Sequence, residues 1–319
     1  MEEPKTLQQA ILYFADPDRC IAYLASSRWP DGVAVCPTCG RKDVAYVAKR
    51  RVWQCKSRHP KAQFSIKVGT IFADSPISLD KWLMAMWMVA NCKNGISSYE
   101  IHRGIKVTQK TAWFMLHRIR LSMMEDSGKL TGTIEMDEIF IGGKIKNMHK
   151  SKRPKGTGFS GKVVAATAKT IVVGMVERGG RVRAEVVIDR TREVLHALAD
   201  KHIADGSTLI TDEWHPYKES NFQHEIINHA ESYARGLVHT NGIENFWSLL
   251  KRGLGGTYIS VEPFHLFRYI DEQAFRYNNR ATKDNPLNDG DRFAAVVSQI
   301  VGRRITYAEL TGKTAARQE

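Results

Sequence analysis

The chain has 319 residues, 43% of them hydrophobic, with 47 basic against 34 acidic side chains and a net charge of +13. That length exceeds one typical domain, and the charge favours a polyanionic partner, nucleic acid above all. No run of 18 apolar residues exists, the opening MEEPKTLQQA is acidic and polar, and five cysteines make no disulfide framework, so membrane-spanning, secreted and disulfide-stapled classes are excluded and a cytoplasmic protein without a membrane partner is expected.

Residues 1–35 read as a short polar start and then a helix, with Ile21, Leu24 and Ala25 at helical spacing. A cysteine-bearing stretch follows, with the short β-rich runs VAYV, VWQC and QFSI between turn residues. Cys36 and Cys39 of CPTCG form a knuckle that presents two thiolates to one ion. Cys55 follows at a loop's distance, and His59 lies four residues later. Three sulfurs and one imidazole make a closed tetrahedral zinc set. A β unit this small cannot hold itself together by core burial, so a metal staple makes physical sense. Cys20 is a substitute ligand in principle but reads as a core residue of its helix, and Cys92 reads as plain core.

From Ile77 to about Met124 the pattern turns helical. Leu79, Trp82, Leu83, Met86, Val89 and Ala90 form one apolar stripe, broken by Asn94–Gly95. Ser97 and Glu100 then stand in capping-box spacing, a short helix ends at Gly104, and Thr108 can cap a longer one. This outline is either a helix-turn-helix or an ordinary helical hairpin. In the first case Lys106, Gln109, Lys110 and Arg118 can reach DNA from the second helix or the turn before it.

A third region starts near Thr131. TIEMDEIFIGG reads as a strand. KVVAATAKTIVVGMVER and GGRVRAEVVID are β-rich and meet at Gly179–Gly180, a hairpin signal. TREVLHALADKHIA is helical, STLITDEW and HEIINH are strands, and two helices follow, HTNGIENFWSLLKRGL and VEPFHLFRYIDEQAFRYNN. Antiparallel strands followed by helix, strands and helices suit a mixed-sheet α/β domain. Between Gly142 and Lys162 lie seven basic residues and no acid; a solvated tip is the plain reading. In so basic a chain, Lys150, Lys152, Arg153 and Lys155 are candidates for contact with a DNA backbone. The resulting division is 1–74 for the first helix and zinc ribbon, 75–128 for the helical segment, 129–285 for the α/β domain and 286–319 for a C-terminal tail.

Three acids stand out in the α/β region. Asp137 interrupts an otherwise apolar β-rich strand, where an acid is locally disfavoured and needs a reason. Asp212 ends another apolar strand, and Glu244 lies in the first turn of a helix. Two strand-borne acids and a helix-borne one can converge on divalent ions, and an oxygen-only set suits Mg²⁺ or Mn²⁺. Glu135 and Glu138 flank Asp137. Both are further ligand candidates, but strand alternation puts Glu138 on the opposite face and Glu135 lies further along the same face, so both read rather as surface or ion-pair residues. Phe246 and Trp247 read as core.

CPTCG with GTIF downstream, KTAWFMLHRIR, MDEIFIGGK, TDEWHPY and HTNGIENFWSLLKRGL, in that order, resemble the zinc-ribbon transposases of bacterial insertion sequences, the ISXO-like group of the DDE superfamily. The resemblance spans about Tyr13 to Asn279. It implies an RNase H-like catalytic fold in which Asp137, Asp212 and Glu244 are the three acids that hold two Mg²⁺ or Mn²⁺ ions. Lys251 matches the basic residue seven positions after the third acid. The group also places an asparagine just before the glutamate, here Asn241, which leaves the third ligand between the two. A carboxylate neutralises a dication whereas an amide offers only a dipole, so charge favours Glu244 and gives Asn241 the task of helix N-cap. One departure concerns the ribbon, whose second ligand pair is usually two cysteines and here is Cys55 with His59.

The activity so implied is cleavage at the ends of a mobile element and joining of the freed 3′-OH to target DNA, by two-metal phosphoryl transfer. Its partners are double-stranded DNA, both terminal repeats and target, and further copies of the chain in the DNA complex. Two other readings stand beside it: an RNase H-like nuclease or resolvase, and a catalytically silent DNA-binding regulator.

Overall fold

A computed structural model describes residues 2–125, 128–143, 149, 169–212, 222–227, 239–283 and 285–313, with Asp212, Ile226 and Ile227 described by their backbone. The chain divides into two units, Met1–Met124 with Asn279–Glu319, and Glu125–Asn278.

The first unit is mostly helical. α1 (Leu7–Phe14) opens on a capping box between Thr6 and Gln9, and α2 (Pro17–Arg28) starts at the N-cap Asp16 with proline in its first turn. The sequence reading merges this start with loop; the structure resolves two helices. Next comes a three-stranded antiparallel sheet, β1 (Val44–Val47), β2 (Val52–Cys55) and β3 (Gln63–Phe64), in that spatial order. Trp53 sits at its centre, ringed by Trp29, Tyr46 and Phe64 at centroid distances of 5.1, 4.8 and 6.1 Å.

α3 (Leu79–Asn91) is the core helix of this unit, with Trp82, Leu83, Ala85, Met86, Trp87, Val89 and Ala90 buried. α4 (Ser98–Ile105) begins with the expected Ser97–Glu100 capping box, and α5 (Gln109–Leu121) with the expected Thr108 cap. The turn between them runs through Lys106, whose left-handed φ of 53° closes α4 one residue later than the Gly104 expected from sequence.

The final stretch, read from sequence as a tail, carries α9 (Asp289–Ser298), which packs on α3. Its Phe293 is 1% exposed and lies against Phe14, Tyr23 and Trp87, at 5.5, 5.6 and 5.1 Å. One aromatic with three aromatic neighbours from three helices makes this segment part of the core.

The second unit is a five-stranded mixed sheet in the order β6-β5-β4-β7-β8. Its strands are β4 (Thr133–Ile141), β5 (Thr170–Glu177), β6 (Val182–Val187), β7 (Thr208–Asp212) and β8 (Gln223–Ile227). β4, β5 and β6 form an antiparallel meander turning at Gly179, and β7 and β8 run parallel to β4. This is the mixed-sheet α/β arrangement expected for an RNase H-like domain.

Strand alternation sorts the two faces. Ile134, Met136, Val173 and Met175 point to one core, shared with Leu195, Leu198 and Ala199 of α6 (Arg192–His202). Ile139, Val172 and Val176 point to the other, shared with Ile243, Phe246, Trp247 and Leu250 of α7 (Asn241–Arg252) and with Leu266 and Ile270 of α8 (Leu266–Asn278). The buried residues of α7 recur at i, i+3, i+4 and i+7, so that helix presents one apolar stripe to the sheet and its opposite face to water.

Candidate active site and metal centre

The zinc ligands expected from sequence come together. Cys36, Cys39, Cys55 and His59 place one ligand atom each within 4.8 Å of all the others. Among the described residues this is the one group of three or more His, Cys, Asp or Glu side chains so arranged. Cys36 Sγ lies 3.5 Å from His59 Nε2, and Cys39 Sγ lies 3.6 Å from Cys55 Sγ. A tetrahedron with bonds of about 2.3 Å to sulfur and 2.0–2.1 Å to nitrogen has edges of ~3.8 Å and ~3.5 Å, so these two separations are close to those of a zinc tetrahedron. Burial opposes ionisation of the Cys55 thiol, yet the Ser57 backbone N–H and the His59 ring hold it down at about 6, which favours the ligating thiolate. Cys20 takes no part: its thiol donates to the Phe14 carbonyl at 3.2 Å, and burial raises its pKa to about 12.

The acids lie in the second unit. Asp137 stands in the middle of β4, half-buried, on the face that carries α7. Thr133, Ile134 and Glu135 of β4 pair in parallel with Thr208, Leu209 and Ile210 of β7. The pairing ends at Glu135 and Ile210; continued two residues, that register sets Asp137 level with Asp212, the last residue of β7 on the neighbouring strand. Glu244 is exposed in the first turn of α7, where the Thr240 hydroxyl donates to its Oε1 at 3.4 Å. Lys251 and Arg252 are exposed in the last turn of the same helix.

Two expectations at α7 need correction. Asn241 is not the N-cap: it is the first residue of the helix, and Thr240 before it makes no side-chain capping bond. Nor is Glu135 a surface acid. It is 1% exposed, and its Oε2 accepts the backbone N–H groups of Gly242 and Ile243 at 2.7 and 3.0 Å. A carboxylate from the sheet thus takes the donors a capping side chain would take. Its other oxygen meets Arg178 Nη2 at 3.2 Å and His239 Nδ1 at 3.4 Å, as its reading as an ion-pair residue allows. Trp247, read as core, is buried but also donates from Nε1 to Asp137 Oδ2 at 3.0 Å.

The four residues expected to reach DNA from the helical segment divide. Lys106 and Lys110 are exposed; Lys110 Nζ lies 4.6 Å from the Tyr307 ring centre. Gln109 is half-buried and donates to Ser98 Oγ at 2.8 Å. Arg118 is 4% exposed and donates to the carbonyls of Ile305, Ile71 and Ala73 at 3.0, 3.0 and 2.7 Å. A guanidinium so enclosed satisfies loop carbonyls, so Arg118 is a structural residue and not a DNA reader. From Met115 to Arg120 every residue of α5 is buried, which confines exposure in that helix to its first turns. Lys150, Lys152, Arg153 and Lys155 lie outside the described residues.

Residues 129–278 match the ISXO2-like transposase domain, and residues 16–57 match the transposase zinc-ribbon domain. A curated relative, the uncharacterized protein in transposable element ISH50 of Halobacterium salinarum, is 27% identical over 253 residues, covering 76% of this chain and 84% of that protein. Among solved structures, a chain of the simian T-cell lymphotropic virus intasome in complex with the PP2A regulatory subunit B56 gamma matches at 14% identity. It covers 65% of this chain and 69% of that one, with a TM-score of 0.29, too slight a likeness to carry fold or function. No described helix is long and apolar enough to cross a membrane.

Proposed function

With its zinc ribbon and ISXO2-like transposase domain, the chain belongs to the zinc-ribbon transposases of insertion sequences, and from that premise we propose that it is an active DNA transposase whose reaction centre is built on Asp137, Asp212 and Glu244. The observation that carries this is the register of the sheet. Glu135 pairs with Ile210 on adjacent parallel strands, a register that, carried on by two residues, sets Asp137 of mid-β4 beside Asp212 at the end of β7, and the helix bearing Glu244 packs against β4. Three carboxylates offer oxygen donors only, the chemistry a hard divalent cation requires. Mg²⁺ or Mn²⁺ held there would neutralise charge on a scissile phosphate and activate the attacking oxygen.

The reaction is a pair of in-line displacements. Water attacks a phosphorus at the element end, the P–O3′ bond breaks, and a 3′-OH is released. That hydroxyl then attacks a phosphorus of target DNA and displaces the target's own 3′ oxygen. Asp137 is oriented for its part by the Trp247 N–H. Glu244 takes precedence over Asn241 as third ligand, because it carries the charge. Asn241 stays in the outer shell, since the cap it was expected to supply comes from Glu135. Lys251, two turns beyond Glu244 on the exposed face, holds a DNA phosphate. The substrate is double-stranded DNA, terminal repeats and target alike, and strand joining takes place in a complex of several copies of the chain. Lys106 and Lys110 serve as backbone contacts of the helical segment.

The test is a labelled duplex of the element's own end incubated with Mg²⁺. The wild-type protein cleaves it and joins it to a second duplex. Asp137→Ala and Asp212→Ala each reduce both steps by about 10³-fold or more. If either variant cleaves and joins normally, the assignment is wrong. Cleavage without joining under all conditions points to a nuclease.

A further inference from the structure

β4 and α7 are joined at two points, and these bracket Glu244. At the first, the buried Glu135 carboxylate accepts the Gly242 and Ile243 N–H groups. Arg178 Nη2 closes that end by donating to Glu135 Oε1 at 3.2 Å and to the His239 carbonyl at 3.0 Å, just ahead of the helix. At the second, the Trp247 N–H donates to Asp137 Oδ2. Glu135 and Asp137 are two strand residues apart, about 6.7 Å. The amides at 242–243 and the indole at 247 are four to five helical residues apart, also about 7 Å. The spans match, so α7 lies along β4 fastened at both ends of the stretch that carries Glu244.

Two glycines permit this approach and nothing larger. A Cβ on Gly242 would stand 2.7 Å from Glu135 Oε2. Gly174 lies directly opposite Asp137 on β5, and a Cβ there would stand 2.6 Å from the Trp247 ring. Neither contact is one that a real Cβ makes, so both positions exclude even alanine while α7 stays seated.

We propose that Glu135 and Trp247 are positioning residues that clasp α7 onto β4 and so fix Glu244 relative to Asp137. The inference rests on the function proposed above, since it gives the clasp its purpose. Glu135 is not itself a metal ligand: it is buried, and both oxygens are engaged, one by backbone N–H groups and the other by the Arg178 guanidinium. The clasp acts on geometry, by fixing the helix that bears Glu244 on the strand that bears Asp137, 107 positions earlier in the chain.

Glu135→Gln keeps an oxygen acceptor for Gly242 and Ile243 but loses the charge that holds Arg178. Trp247→Phe keeps a benzene ring in the core but loses the N–H together with the pyrrole part of the indole, so its melting temperature is read beside its Mn²⁺ affinity. Both variants should fold, by circular dichroism and by an unchanged zinc content. Mn²⁺ binding, followed through the ion's own paramagnetic resonance signal, should weaken by about 10–100-fold, the range typical of residues that orient ligands, and single-turnover cleavage should fall in parallel. Glu135→Ala should fall further. A purely structural role would lower the melting temperature and leave Mn²⁺ affinity unchanged in the folded protein. That result overturns the clasp, as does Glu135→Gln abolishing Mn²⁺ binding as fully as Asp137→Ala, because Glu135 would then be a ligand. If Asp137→Ala is dead while Glu135→Gln and Trp247→Phe match wild type in both measurements, the clasp falls and the transposase reading stands. If Asp137→Ala still cleaves, the transposase reading falls, and the Mn²⁺ arm decides the clasp alone.

Discussion

The ribbon and the proposed acid site face the same problem, bringing distant side chains together, in opposite ways. The four ribbon ligands lie between residues 36 and 59, three of them on loops and Cys55 at the end of β2, around a small three-stranded sheet. Two tight loops deliver them, and the metal then holds the loops. The acids at 137, 212 and 244 are far apart in sequence, and no short loop can gather them. They depend instead on a five-stranded sheet covered on both faces, with the helix bearing the third acid packed on one of them. In the first region the ion would hold the structure; in the second, on the function proposed above, the structure would build the ion site.

Zinc removal breaks the comparison most sharply. Structural zinc contributes roughly 10–16 kcal/mol of apparent binding free energy, more than the whole stability of a typical domain. A strong chelator should erase hydrogen-exchange protection in β1 and β2 while β4 and β5 stay protected. Metal analysis of untreated protein should return about one zinc per chain. A metal-free ribbon with protected strands would falsify the zinc assignment.

A smaller change reaches the other region. Gly174→Ala puts a methyl where the Trp247 ring lies, so α7 must lift or the sheet must give. Overpacking of this kind costs about 1–3 kcal/mol. Here it also disturbs the Trp247–Asp137 bond, so cleavage should fall more than stability does, with zinc content unchanged. Cleavage that merely tracks the fraction folded would show that α7 need not be seated closely.

What could be read from sequence follows the same divide. Short-range signals were legible: the CPTCG knuckle with Cys55 and His59, the Ser97–Glu100 box, the Thr108 cap and the glycine turn at 179–180. Asp137 showed itself as an acid in an apolar strand. Glu135 had the same signature, standing between buried Ile134 and Met136. Its task depends on a helix start 107 residues later, with a glycine at 242, and only the pairing of those two oddities could have revealed it. Arg118 looked like a reader because helical spacing cannot tell a DNA-facing side from one covered by Ile71, Ala73 and Ile305. Residues 286–319 looked like a tail because Phe293 meets its partners only across most of the chain's length.

The mildest test separates the two regions by acid. Glu185 of β6 accepts from His202 Nε2 at 2.6 Å and from Lys201 Nζ at 2.7 Å. The His202 bond is the main cause that holds its pKa at about 2, against burial and with help from Lys201. The folded pKa lies below the ordinary 4.5, so the carboxylate's contribution is fully present above about pH 4.5 and is lost as pH falls towards 2. Its side chain is 37% exposed, and solvent screening limits the contribution to less than about 1 kcal/mol. The urea midpoint for the second unit should therefore be higher in wild type than in Glu185→Gln at pH 6, with the gap narrowing below about pH 4.5 and closing as pH nears 2. The ribbon follows a different course, because acid protonates its thiolates and imidazole and releases the metal before Glu185 titrates. Loss of ribbon protection well above the pH at which the two midpoints converge would show that the regions respond to acid through separate chemistry. A gap between the midpoints that persists unchanged to pH 2 would remove Glu185 from the account.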